Sequence, residues 1–391
     1  MIKITLKPGK EQSIQRFHPW IFSGAIKSID NKPEEGDVVD VYSAGGEFLA
    51  RGHYQVGSIA VRVITFANEE IDDRFWRKKI EQAYSLRKEI GLVNNPETNV
   101  YRLIHGEGDM MPGLIVDIYS NTAVMQAHSV GMFREKERIA AVIKDIYGEN
   151  IKAVFDKSEG TVPFKANLNA TNQYLVGSSE PQEVLEYGNR FFVDWINGQK
   201  TGFFVDQREN RKLLEFYSKG KDVLNVFGYT GGFSVYALRG GARMVHSVDS
   251  SEQAIALTDR NVALNFSKAN HESFAVDAFD YLNTIDNKYD LIILDPPAFA
   301  KHQSALRNAL QGYKKINTKA ISKIRPGGIL FTFSCSQVVT KINFREAVFS
   351  AAAIAGRQVR ILHQLTQPAD HPVNIFHPEG EYLKGLVVYV E

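Results

Sequence analysis

Cys335, the only cysteine among 391 residues, follows the apolar run Ile329–Phe333 with Ser334 between them. In open α/β sheets ligands gather at the carboxyl ends of strands, so a thiol there is placed for nucleophilic attack once it is deprotonated. A free cysteine is otherwise a small buried hydrophobe, and its neighbours decide between the two. A second apolar run, Leu291–Leu294, ends in Asp295-Pro296-Pro297. Two prolines fix the chain direction and remove two backbone donors, which makes a rigid loop that can hold the Asp side chain and nearby carbonyls over a planar ring. A third run ends in Asn225-Val226-Phe227-Gly228-Tyr229-Thr230-Gly231-Gly232-Phe233, where glycine allows a tight turn and close approach of a ligand to the backbone. Asp249 closes the next run, 21 residues beyond Gly228, as a carboxylate that accepts from both hydroxyls of a ribose would. Asp277 ends the run after that, where an adenine would lie. Either aspartate could instead cap a turn or a helix.

These residues need a sheet to hold them together. Strand-type runs at Val223–Phe227, Met244–Val248, Ser273–Val276, Leu291–Leu294 and Ile329–Phe333 alternate with helical segments, and Gln358–His363 and Gly385–Val390 close the chain. That alternation predicts a doubly wound, mostly parallel sheet, preceded by a hairpin (Val184–Tyr187, Arg190–Trp195) and a helix over Gln207–Tyr217. Residues 1–72 carry short β-type runs such as Asp37–Tyr42 and Ile59–Val63, punctuated by Gly36, Gly45-Gly46 and Gly57, as in a small β-barrel. Helical spacing over 72–90 leads into a central α+β module, with strands at Leu114–Ile118, Ala123–Ala127, Ala153–Phe155 and Gln173–Val176 and one helix over Met132–Tyr147. The expected domains are 1–72, 73–180 and 181–391.

Bulk composition narrows the classes. One cysteine excludes an internal disulfide and a thiolate-rich zinc site and fits a reducing compartment. The start Met1-Ile2-Lys3-Ile4-Thr5 lacks the apolar core of a signal peptide, and no apolar run approaches the roughly 18 residues of a membrane span. A soluble cytoplasmic protein, with no membrane partner, is expected. Net charge is only +1, but its distribution is uneven. The window 296–345 holds no Asp or Glu, while Lys301, Arg307, Lys314, Lys315, Lys319, Lys323, Arg325, Lys341 and Arg345 lie within it. A positive surface around Cys335 would attract a phosphate backbone and favour the thiolate. A second basic stretch, Arg74 to Lys88, reads equally well as a solvated helix face.

The glycine turn 225–233, Asp295-Pro296-Pro297-Ala298-Phe299 and Phe333-Ser334-Cys335-Ser336 together resemble the bacterial large-subunit ribosomal RNA cytosine-5 methyltransferases. Lys200–Arg208, His18–Gly24 and Ala369-Asp370-His371-Pro372 extend the resemblance over nearly the whole chain. It implies a PUA domain at the amino terminus, an α+β middle, and a Rossmann-like seven-stranded domain that uses S-adenosyl-L-methionine. It further implies that Gln207, Phe227, Gly228, Asp249, Asp277 and Asp295 line the cofactor and base pockets and that Cys335 is the nucleophile. Arg208, Lys301, Lys314 and Lys315 are the expected RNA contacts, ribosomal RNA the partner, and a homodimer the assembly.

In such a reaction a thiolate adds to carbon 6 of cytosine and makes carbon 5 nucleophilic, with Asp295 as the acid at ring nitrogen 3; the sequence does not identify the base that removes the carbon-5 proton. Many RNA cytosine-5 methyltransferases carry a second cysteine at the place held here by Pro297, and glycine is common where Gln337 stands. Rival readings are an exocyclic-nitrogen base methyltransferase, though Ala298 intervenes before Phe299, and a non-catalytic RNA-binding assembly factor that keeps the fold. A dehydrogenase is disfavoured by the glycine spacing.

Overall fold

The computed structural model describes residues 1–163, 168 and 170–391. It divides into two compact units: Met1–Val184 with Val193–Val205 and Ala369–Gly380, and Leu185–Phe192 with Asp206–Pro368 and Glu381–Glu391. The division does not follow three contiguous spans, because the chain returns twice to the first unit. Long-range bonds explain one return. Asp370 accepts from the Arg102 amide at 2.9 Å, and its carbonyl accepts from buried Arg87 at 2.8 Å.

The first unit contains a six-stranded sheet ordered Trp20–Phe22, Ile59–Thr65, Phe48–Tyr54, Val38–Tyr42, Ile2–Leu6, Ile26–Ile29. A five-stranded sheet follows, ordered Gln173–Val176, Ala153–Asp156, Thr122–Ala127, Leu114–Tyr119, Val100–His105. The helix Asp73–Glu89 starts where Asp72 accepts from the Phe75 amide, a side-chain N-cap. The helix expected over 132–147 is instead two, Val130–Arg134 and Lys136–Tyr147, broken at Glu135.

The second unit is built on seven strands: β1 (Asp222–Val226), β2 (Met244–Asp249), β3 (His271–Ala275), β4 (Leu291–Leu294), β5 (Gly328–Ser334), β6 (Val359–Leu365) and β7 (Lys384–Val390). Their order is β3-β2-β1-β4-β5-β7-β6. All pairs are parallel except the two that β7 makes, which are antiparallel. The period of two along each strand sorts its side chains between two cores. Leu224, Val226, Ile292, Leu294 and Leu330 face the helices Leu306–Lys323 and Lys341–Ala355. Val223, Leu291, Ile293, Phe331 and Phe333 face Arg208–Tyr217 and Gly232–Arg239. Covering both faces is what allows β4 to be apolar at all four positions, each fully buried. This is the expected Rossmann-like, doubly wound seven-stranded sheet. Among the described residues no helix is long and apolar enough to cross a membrane.

Candidate active site

The strand ends create the site. In register, Val226 pairs with Leu294 and Leu294 with Thr332, so β1, β4 and β5 release their chains on one edge. β1 stops a residue earlier than its apolar run suggests, because Phe227 takes φ 61° and Tyr229 φ 45°. Left-handed backbone at two bulky residues is strained, and the turn is held in place by bonds. The Gly228 amide donates to Val248 O at 3.0 Å and the Tyr229 amide to Asp249 Oδ2 at 3.0 Å. Asp249 also accepts from the Ser251 amide at 3.0 Å. Gly231 completes the turn at φ +74°, and a Cβ there would stand 2.7 Å from Thr258 Cγ2. Gly231→Ala is therefore expected to destabilise the second unit by about 2 kcal/mol, read as a lowered urea midpoint; an unchanged midpoint would show that the turn relaxes without cost.

Asp277 sits differently. Its Oδ1 caps the helix Ala278–Thr284 through the Phe279 and Asp280 amides at 2.8 and 3.1 Å, and the residue is exposed. The carboxylate therefore serves as a helix cap, the alternative that the sequence left open.

Around the base-side loop the contacts are tighter. Gln207, buried, donates from Nε2 to Asp295 Oδ1 at 3.0 Å, while Asn210 Nδ2 donates to Gln207 Oε1 at 2.6 Å. The pair fixes which end of the Gln207 amide faces the carboxyl. Cys335 is partly buried, its Sγ 3.9 Å from Pro296 O. Ser336 locks the thiol's turn to the proline loop, since its Oγ accepts from the Ala300 amide at 3.3 Å and lies 2.9 Å from the Tyr313 hydroxyl. Burial pushes the Tyr313 phenol up, with Cys335 adding to the shift, so Tyr313 stays neutral. Lys384 Nζ donates to Ser336 O at 2.6 Å. Burial draws its ammonium down to about 8, against the pull of Cys335.

Thus Gln207, Asp295 and Cys335 are gathered at one edge with Phe227, Gly228 and Asp249, and Asp277 lies outside on its cap. Lys301 and Lys315 are exposed and Lys314 half-buried. Arg208 is 2% exposed, and its Nε donates to Glu209 at 3.1 Å. Asn210 and Lys384 were missed. Asn210 stands three residues after Gln207, the spacing of neighbours on a helix, and Lys384 is a single charge at the head of the apolar run Gly385–Val390.

A strained glycine turn with a carboxylate behind it suits a nucleoside-bearing ligand. Comparison with known sequences decides which. Residues 102–373 match the model of the S-adenosylmethionine-dependent methyltransferases, and residues 4–66 match a PUA-like domain. The chain belongs to the S-adenosylmethionine-dependent methyltransferases. S-adenosylmethionine is its cofactor, and the Tyr229–Asp249 cradle fits such a group. Among its relatives in this family, the ribosomal RNA large subunit methyltransferase I of Enterobacter sp. (strain 638) is 40% identical over 100% of this chain and 99% of its own. A methyltransferase structure from Streptococcus mutans covers 100% of both chains at 25% identity with TM-score 0.85. A second methyltransferase structure, solved with SAH, does so at 25% identity with TM-score 0.86.

Proposed function

We propose that this methyltransferase acts on large-subunit ribosomal RNA and forms 5-methylcytosine, with Cys335 as the nucleophile. The observation that carries the reading is the meeting of the Cys335 turn with the Asp295-Pro296-Pro297 loop, where Sγ lies 3.9 Å from Pro296 O. The ribosomal substrate is supported by the relative's name and by the exposed lysine Lys301, four residues beyond Pro297.

The residues divide the work as follows. Asp249 would hold the ribose of the cofactor, with the Phe227-Gly228 turn beside it. When bound, S-adenosylmethionine supplies an electrophilic methyl group. The Cys335 thiolate forms a bond to carbon 6 of the cytosine, and Asp295, protonated, donates at nitrogen 3 as electron density moves to carbon 5. After carbon 5 is methylated, its proton leaves to a base and the sulfur–carbon bond breaks, which returns the thiolate. The loop beyond β4 offers Pro297 rather than a second thiol, so the release step uses another group.

The exocyclic-nitrogen alternative is less well supported. An aromatic ring would be needed against the base, but the Phe299 ring is 4.6 Å from Tyr313 and packs onto the core. The test is methylation of large-subunit ribosomal RNA lacking its modifications, followed by nucleoside analysis. 5-Methylcytidine is the expected product; N4-methylcytidine would promote the alternative, and binding of RNA without transfer would favour an assembly role.

A further inference from the structure

Lys384 opens β7 in register opposite Ser334, and it is 3% exposed. Its Nζ donates to two carbonyls, Ser336 O and Tyr382 O, each at 2.6 Å. Among the described residues no carboxylate pairs with it. An ammonium taken out of water and held only by neutral carbonyls is costly, unless an anion stands close. The charged groups that act on it are Cys335, Lys341 and Glu381. Lys341 and Glu381 bond each other at 2.7 Å, so their effects largely cancel. On the far side of the turn Tyr313 is a neutral phenol and adds no charge. Cys335, between Ser334 and Ser336, is the ionisable group that remains.

We propose that Lys384 is the buried counter-charge that holds Cys335 as the thiolate, a positioning residue that acts through the nucleophile and never touches the base. The inference rests on the reading of Cys335 as nucleophile. Its geometry is specific, because the lysine grips the peptide on one side of the cysteine by its side chain and pairs with the residue on the other side by its backbone. The same two bonds keep the ammonium from swinging out to water. With its ammonium drawn down to about 8 by burial, Lys384 is charged at neutral pH and loses that charge as pH rises past this value. The thiol proton goes to solvent, and no other group needs to accept it.

Because the chain has one cysteine, alkylation by iodoacetamide reports on Cys335 alone. In the parent chain, the pH profile of the alkylation rate is expected to have its midpoint below the ordinary thiol value of about 8.5. In Lys384→Met, which keeps the apolar stem and removes the charge, the midpoint is expected to rise by roughly one to two pH units. Alkylation at pH 7 should then slow by up to about tenfold for each unit of rise. A parent midpoint at or above the ordinary value overturns the inference without recourse to any variant, so a Lys384→Met chain that failed to fold would not shield it. An unchanged midpoint in a folded Lys384→Met chain overturns it equally. The underlying reading fails separately: Cys335→Ala with undiminished methyl transfer would remove the nucleophile, whereas a thiol midpoint indifferent to Lys384 in a chain that still needs Cys335 would remove only the counter-charge.

Discussion

Cys335→Ala is expected to lower methyl transfer to ribosomal RNA by at least about three orders of magnitude while leaving S-adenosylhomocysteine affinity within about twofold. The size follows from the substrate. Carbon 5 of cytosine is a poor nucleophile, and only addition at carbon 6 gives it the electron density to take a methyl group. Removing the sulfur therefore removes the reaction path rather than one of several stabilising contacts. Cofactor affinity should persist because the groups assigned to the ribose stand on β1 and β2, whereas Cys335 follows β5. The structural cost is small, since alanine leaves in place the bonds that the Ser336 hydroxyl makes to Ala300 and Tyr313 and that its carbonyl makes to Lys384. A 5-fluorocytidine substrate gives the complementary positive result. Its carbon 5 carries no removable proton after methylation, so the parent should accumulate a covalent protein–RNA adduct and Cys335→Ala none. With a single thiol in the chain, the adduct has one address. Transfer by the alanine variant within about tenfold of the parent would dispose of the thiolate path.

The parts of this site that were legible in the sequence share a physical cause. A parallel strand buried on both faces must be apolar throughout, so Leu291–Leu294 and Ile329–Phe333 announce themselves, and the first polar residue beyond each marks the strand end. Asp295 follows Leu291–Leu294 directly, and Cys335 stands one residue beyond Ser334, the last of β5. What escaped depends on contacts far apart in the chain. Nothing local in Leu383-Lys384-Gly385 indicates that the ammonium reaches Ser336, 48 residues away. The burial of Arg208 is hidden for the same reason: its position beside Gln207 says nothing about burial, which the surrounding fold imposes. The Glu135 break between two helices and the return of Ala369–Gly380 to the first unit are likewise invisible to periodicity, since both follow from tertiary packing. Phe227 failed at finer scale. Its apolar side chain continues the β1 pattern, but its backbone has already turned left-handed.

The second large effect is expected at Asp295. Asp295→Asn should lower kcat by about two to four orders of magnitude, the range for loss of a positioned general acid, and change KM for RNA much less. Asparagine preserves size and can still meet Gln207, so what is lost is the transferable proton rather than the packing. The orientation of the carboxyl supports this assignment. Asn210 donates to Gln207 Oε1, which leaves Gln207 Nε2 to face Asp295 Oδ1 at 3.0 Å. A glutamine in that orientation can only donate, so it fixes Oδ1 as the acceptor and directs the acid proton to the carboxyl's other oxygen. Pro296 and Pro297, which follow directly, keep the loop from rotating that edge away. Two readings of Asp295 then separate in one experiment. If it is the acid at nitrogen 3, Asp295→Asn should form the 5-fluorocytidine adduct slowly, because sulfur addition itself needs the proton at nitrogen 3. If it merely shapes the cofactor pocket, S-adenosylhomocysteine affinity should fall while adduct formation at saturating cofactor keeps the parent's rate. Fast adduct formation with weakened cofactor binding would transfer the acid role to another group, and the Gln207–Asn210 pair would then be a support for the pocket wall.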